Sequence, residues 1–253
     1  MRFPENKLKS LLKSGRKAVG AFLMIPSVHL VEMLGYSGLD FVIIDAEHAR
    51  PSIETLENMI RACEVSDTVP IVRIPNLTDR THYIYALDSG AMGVQVPMVE
   101  SRQMAEQAVR MAKYHPMGMR GLAGGRATKY GAIPLDEYVE QANEQTMVIA
   151  QVETAQGALC AGEIASVNGI DAVFIGPVDL SQSMGLPGRP SDARVQQAIY
   201  ETAKRVTDVG TPVGSLTASA AEASKQLENR FQFMCVIPQF MQWKSVVDDI
   251  RSM

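Results

Sequence analysis

Hydrophobic and polar positions along this chain fall into a repeating two-part unit: a short apolar run, then a longer segment with apolar residues at helical spacing. "AVGAFLMI" (18–25) is the first apolar run. "SVHLVEMLGYSG" follows, with Ser27 as its N-cap and Gly35 or Gly38 near its stop. "DFVIID" leads into "SIETLENMIRACEVSD", where Ser52 and Glu54 open a helix carrying Ile53, Leu56, Met59, Ile60 and Cys63 on one face. "VPIVRIP" is the third strand, and Gly90 ends its helix "DRTHYIYALDSG". "MGVQVPMV" is the fourth, followed by "SRQMAEQAVRMAKY" with a stripe of Met104, Ala108, Met111 and Ala112.

A Gly-rich stretch, "HPMGMRGLAGGRATKYGAIP", breaks the rhythm before a short helix near 135–144. "MVIAQVE", "DAVFIGPVDLS", "PVGSLT" and "FQFMCVI" supply the remaining strands. Their helices are "AQGALCAGEIASVNG", 193–209, "SAAEASKQLENR" and a last one through Trp243 and Val246 to Ile250. Eight strands and eight helices in alternation demand parallel strands joined by crossover helices. The strands are almost wholly apolar, as a sheet covered on both faces requires. Eight units in 253 residues predict an α/β fold, one (β/α)8 TIM barrel domain spanning 1–253, over an open doubly wound sheet. The open sheet would carry a G-x-G-x-x-G turn after its first strand, and "LMIPSV" has none.

Composition narrows the function classes. A formal net charge of −4 with no basic stripe speaks against a nucleic-acid partner. No apolar run approaches the roughly 20 residues of a membrane span, and the N-terminus lacks a signal peptide's apolar core. Cys63, Cys160 and Cys235 lie far apart without a C-x-x-C pair, which predicts free thiols in a reducing compartment. A cytoplasmic protein is the simplest expectation.

In such a barrel the chemistry sits at the C-terminal ends of the strands. Strand two runs into Asp45, Glu47 and His48, strand three into Arg73, strand five into Gln151 and Glu153, and strand six into Asp179. Strands seven and eight offer only Ser215, Thr217 and Gln239. Taken singly these have ordinary readings: Asp179 as a helix cap, Arg73 as a salt-bridge partner, His48 as a loop histidine. The coincidence on one rim favours a reaction site. His29, His82 and His115 lie in helix or loop contexts and keep the ordinary reading.

Glu153 and Asp179 are hard oxygen donors without Cys or a second His, which suits Mg2+, Mn2+ or a similar ion. Such an ion can chelate a 2-oxo acid and stabilise an enolate, with Arg73 supporting the oxyanion. His48 is the natural general base, with Asp45 expected to set its tautomer. The backbone N–H groups of Val178 and Asp179 in "GPVDLS" are placed to hold a carboxylate. No lysine stands at a strand end, so a Schiff-base mechanism has no candidate. The Gly-rich stretch, with Arg120, Arg126 and Lys129, lacks a P-loop's G-K-[ST] ending and is expected to be a mobile substrate or interface loop.

"IDAEHA", "VRIP", "LDSGAMGVQVPMVES", "GMRGLAGG", "QVETAQG" and "GIDAVFIGPVDLSQSMGLPG" together resemble the HpcH/HpaI family of metal-dependent class II pyruvate aldolases, over roughly residues 18–215. "GPVDLSQSMG" after "QVET" is the most specific part. The resemblance implies a barrel of the phosphoenolpyruvate/pyruvate type, assembled as a homo-oligomer of three or six chains. It implies Mg2+, Mn2+ or Co2+ on Glu153 and Asp179, and pyruvate contacts from Gln151, Val178 and Asp179. His48 becomes the base for the aldol hydroxyl, Arg73 the transition-state stabiliser, and Asp88 a support for the histidine's basicity. The implied activity cleaves a 4-hydroxy-2-oxo acid to pyruvate and an aldehyde. A lyase acting on an acyl-CoA ester, or a barrel that binds oxo acids without turnover, stand as alternatives. Val178 stands where a small Ala is common, Arg50 adds a charge to "EHARPS", and the match fades after Pro212. Those departures bear on the aldehyde side.

Overall fold

Every apolar run of the two-part unit forms a strand: β1 (Ala18–Leu23), β2 (Phe41–Asp45), β3 (Val69–Arg73), β4 (Gly93–Val96), β5 (Met147–Val152), β6 (Ala172–Ile175), β7 (Val213–Thr217) and β8 (Phe233–Val236). In the computed structural model they pair in parallel, in chain order, and β8 closes on β1. The structure describes residues 2–217, 219–237 and 247–252. Gln239 and the expected course of the last helix through Trp243 and Val246 fall outside those residues.

The helices are α1 (Lys7–Lys13), α2 (Val28–Tyr36), α3 (Ile53–Val65), α4 (Arg80–Asp88), α5 (Arg102–Ala112), α6 (Leu135–Gln145), α7 (Ala155–Ala165), α8 (Pro177–Ser183), α9 (Ala193–Asp208) and α10 (Ala220–Glu228). Their starts follow the capping chemistry of the sequence. Ser27 Oγ accepts from the Leu30 N–H, and Ser52 Oγ from that of Thr55. Among the described residues, α1 and α8 are helices that the hydrophobic pattern did not predict.

Alternation along each strand separates two cores. Val42, Ile44, Val72, Val94, Val148, Ala150, Val152, Val173 and Ile175 point outward into the layer shared with the helices. Phe22, Phe41, Ile43, Ile71, Met147, Ile149, Phe174 and Phe233 point inward and fill the barrel. Gly20 and Gly214 make room for the two largest rings: a Cβ at Gly20 would sit 2.6 Å from the Phe41 ring, and one at Gly214 2.4 Å from that of Phe233.

The inward cluster continues downward into α1, whose Leu8 and Leu12 are buried against it. Asn6 locks this helix in place, its Nδ2 donating to Met92 O and Gln145 O at 2.9 Å each. The charged N-terminal segment is therefore a plug for the barrel base. Its two leucines are too few to announce that from periodicity alone.

Candidate active site

The inward series of four strands, β2 to β5, turns polar at its upper end. Phe41 and Ile43 are followed by Asp45, Ile71 by Arg73, Gly93 by Gln95, and Met147 and Ile149 by Gln151 and Glu153. On β6, Ala172 and Phe174 are followed by Gly176. Asp45, Arg73 and Gln95 stand side by side in register across β2, β3 and β4. The rim residues are thus the top layer of the barrel interior, and all of these side chains are buried.

Burying charge is tolerable only with partners. Arg73 meets Asp45 through two parallel contacts, Nε to Oδ1 at 2.9 Å and Nη2 to Oδ2 at 2.8 Å. Its Nη1 lies 3.2 Å from Glu47 Oε2, and its guanidinium stacks 4.6 Å above the Phe22 ring. Asp45 Oδ1 also accepts the backbone N–H groups of Glu47 and His48 at 3.0 and 3.3 Å. Asp45 therefore shapes the loop and clamps Arg73. It does not reach the His48 ring, because it faces into the barrel while His48 stands exposed on the loop beyond. The carboxylate near that ring is Glu47, whose Oε2 lies 3.9 Å from Nε2. Burial raises the Glu47 carboxyl above its ordinary range, against the pull of Arg73 and His48.

Glu153 is only 3% exposed. One oxygen accepts the Met98 N–H at 2.9 Å and the other accepts Gln151 Nε2. Gln151 Oε1 in turn accepts Gln95 Nε2. Met98 takes a left-handed φ of +54° in presenting its N–H. Gly176 is needed opposite, since a Cβ there would lie 2.8 Å from Glu153 Oε2. Burial pushes the Glu153 carboxyl up to about 7, and the nearby negative charges of Asp179 and Glu47 add to the rise.

β6 stops at Ile175, short of Asp179, because Pro177 opens α8. Asp179 lies exposed in the first turn of that helix, and Val178 beside it is 51% exposed. Gly176 caps α8 without a side chain, so no side-chain acceptor meets the first-turn N–H groups.

Three other expected placements change. Asp88 ends α4, which runs back toward the barrel base, and its Oδ1 accepts from Arg120 Nη2 at 2.7 Å. Within one chain it does not meet His48. Ser215 and Thr217 share the outward parity of β7; their hydroxyls bond Ile175 O and Glu222 Oε2. In the Gly-rich stretch Arg120 is buried over Tyr114, and Arg126 forms a two-pronged pair with Glu64 at 3.0 and 2.6 Å. Those arginines fasten the segment to the helices. Gln95 and Met98 are additions to the expected site, whereas Glu47, one of the residues at the end of strand two, holds Arg73. The signal for Gln95 was there, a single polar residue inside "GVQV".

Among the described residues, no three His, Cys, Asp or Glu side chains converge as a ready-made metal cage. The donor chemistry nevertheless suits a hard divalent cation. Glu153 is a desolvated carboxylate with Asp179 and Glu47 as like-charged neighbours, and Arg73 is already shared between Asp45 and Glu47. Carboxylates so placed favour a cation that takes the rest of its coordination from water or substrate.

A parallel eight-stranded barrel with a carboxylate-rich, arginine-clamped mouth belongs to a class of enzyme scaffolds that carry many chemistries at this rim. Comparison with known proteins makes this specific. Residues 18–234 match the family model HpcH/HpaI aldolase/citrate lyase, and the chain belongs to that family. It is 36% identical over 234 residues to 4-hydroxy-2-oxo-heptane-1,7-dioate aldolase of Escherichia coli, covering 92% of this chain and 88% of that one. It is also 36% identical over 239 residues to hydroxypyruvate/pyruvate aldolase of Roseobacter denitrificans, covering 93% and 92%. An HpcH/HpaI aldolase/citrate lyase family protein from Burkholderia cenocepacia superposes with a TM-score of 0.91 at 28% identity, over 98% of each chain.

Proposed function

We propose that this chain is a divalent-metal-dependent pyruvate aldolase that cleaves a 4-hydroxy-2-oxo acid to pyruvate and an aldehyde. The observation that carries the reading is the polar top layer of the barrel, where Arg73, Gln151 and Glu153 are buried together beneath His48 and Asp179. The names of the two curated relatives point the same way.

Glu153 and Asp179 would hold Mg2+, Mn2+ or Co2+. Bound there, the ion supplies Lewis-acid stabilisation of negative charge developing on the 2-oxo group. His48, exposed at the mouth with Glu47 beside it, takes the proton from the C4 hydroxyl, directly or through water. The C3–C4 bond then breaks: the C4 oxygen becomes the aldehyde carbonyl, and the bonding electron pair passes to C3 as the enolate of pyruvate. That proton, returned from His48 or through water to C3, completes the reaction. Arg73 has five N–H donors, and its three contacts to Asp45 and Glu47 leave others for the enolate oxygen. Gln151 and the N–H groups of Val178 and Asp179 orient the oxo-acid carboxylate.

The thioester alternative needs a basic groove for CoA phosphates. Its sequence candidate has Arg120 and Arg126 committed to Asp88 and Glu64. The resemblance also carries a homo-oligomer of three or six chains, open to light scattering. The buried free thiols of Cys63 and Cys235 fit a reducing cytoplasm. Pyruvate release from 4-hydroxy-2-oxo acids, followed in a coupled assay with and without EDTA, tests the proposal. Activity abolished by EDTA and restored by Mn2+ is expected; full activity under chelation overturns the metal mechanism.

A further inference from the structure

Gln95 is wholly buried on β4, facing into the barrel between Arg73 and the strand that carries Gln151. Its Nε2 donates to Gln151 Oε1, and Gln151 Nε2 donates to Glu153 Oε2. The direction of this relay follows from chemistry. A carboxylate that holds a metal ion is ionised and only accepts, so in that state Gln151 must turn its NH2 toward Glu153, as it does here. Its carbonyl oxygen then faces away and needs a donor, and Gln95 is the residue that supplies one.

A second observation separates this role from ordinary packing. Gln95 Oε1 is buried and meets no donor among the described residues. A half-satisfied amide in a dry core costs stability, whereas an apolar side chain of similar shape would not. The fold alone gives no reason for glutamine at this place, between Gly93 below and Arg73 beside it.

We infer that Gln95 is a positioning residue: it holds the Gln151 amide in one of its two flipped states and thereby aims both Gln151 and the Glu153 carboxylate into the mouth of the barrel. The inference rests on the aldolase reading for what those two residues bind. Without Gln95, the Gln151 amide turns freely, and in half of its orientations it presents an oxygen to a carboxylate.

The experiment measures Mn2+ binding and pyruvate binding to the Mn2+-loaded protein by calorimetry, alongside urea unfolding, for wild-type, Gln95→Met, Gln95→Leu, Gln151→Met and the Gln95→Met/Gln151→Met double variant. Gln95→Met is expected to weaken both ligands about tenfold, the scale of a lost charge-assisted arrangement. Its urea midpoint is expected to equal or exceed that of wild-type. In the Gln151→Met background the same change is expected to alter binding less than about twofold, since Gln95 acts only through Gln151. Wild-type affinities in Gln95→Met, or equal losses with and without Gln151, overturn the inference. So does a lowered urea midpoint in both Gln95→Met and Gln95→Leu, or failure of both to fold, which would make Gln95 an ordinary core residue. A wild-type protein that binds neither Mn2+ nor pyruvate refutes the aldolase reading itself, an outcome distinct from an indifferent Gln95.

Discussion

Arg73 is held from three sides, by Asp45, Glu47 and the Phe22 ring, so its position is set before any substrate arrives. Lysine can replace the charge but not the two-pronged contact with Asp45 or the stacking. Arg73→Lys is therefore expected to lower kcat by about 100-fold or more, the scale of a lost oxyanion donor, in the coupled pyruvate assay. Lys113 offers a residue-scale test away from the site. It is buried, with Nζ donating to Asn143 O at 2.8 Å. Burial lowers its ammonium to about 8 from an ordinary 10.5. Between those values the unfolded chain keeps a proton that the native chain has released, so this residue's contribution to stability rises with pH across that window. Below about 8 both states are protonated, and the contribution stays flat at its least favourable level. Urea midpoints of wild-type relative to Lys113→Met should thus climb between pH 8 and 10.5. A flat difference would show that the ammonium is already solvated.

At the scale of elements, much of the fold was legible because each strand advertised itself twice, by its apolar run and by the capped helix after it. Ser27 and Ser52 fixed two helix starts to the residue. The boundary at β6 was harder, since "DAVFIGPVDLS" reads as one run until Pro177 is weighed as a helix opener. The site was legible as a rim but not as a network. Spacing along one strand says that Asp45 and His48 are near each other, yet only inward parity shows that Asp45 belongs to Arg73. Asp88 was visible through resemblance alone, and its helix carries it to the other end of the chain's barrel. Helix α1 escaped notice because its job depends on an interior assembled from distant strands. Leu8→Ala should cost about 2–5 kcal/mol in urea unfolding, the range for emptying a buried leucine site. Mn2+ affinity should hold, since the mouth lies at the opposite end.

For the whole molecule, the same alternation does structural work below and chemical work above. The lower steps of inward side chains are apolar and fill the barrel; those at the top are polar and bound into pairs. The stack explains how carboxylates can be almost wholly buried without unfolding the protein: Asp45 meets Arg73 on the next strand, and Glu153 meets the Met98 N–H and the Gln151 amide.

The plug formed by α1 has a kinetic consequence. With Leu8 and Leu12 sealing the base and aromatic rings filling the middle, the described residues form a well that is closed below and opens at the mouth. Whatever leaves must pass the way it came. On the proposed aldolase reading, pyruvate seated on the deep Gln151 and Glu153 would not depart ahead of an aldehyde lying above it. Departure should be ordered, aldehyde first and pyruvate last. Added pyruvate should then inhibit cleavage competitively against the 4-hydroxy-2-oxo acid, and added aldehyde noncompetitively. Competitive inhibition by the aldehyde would mean that the well has a second door.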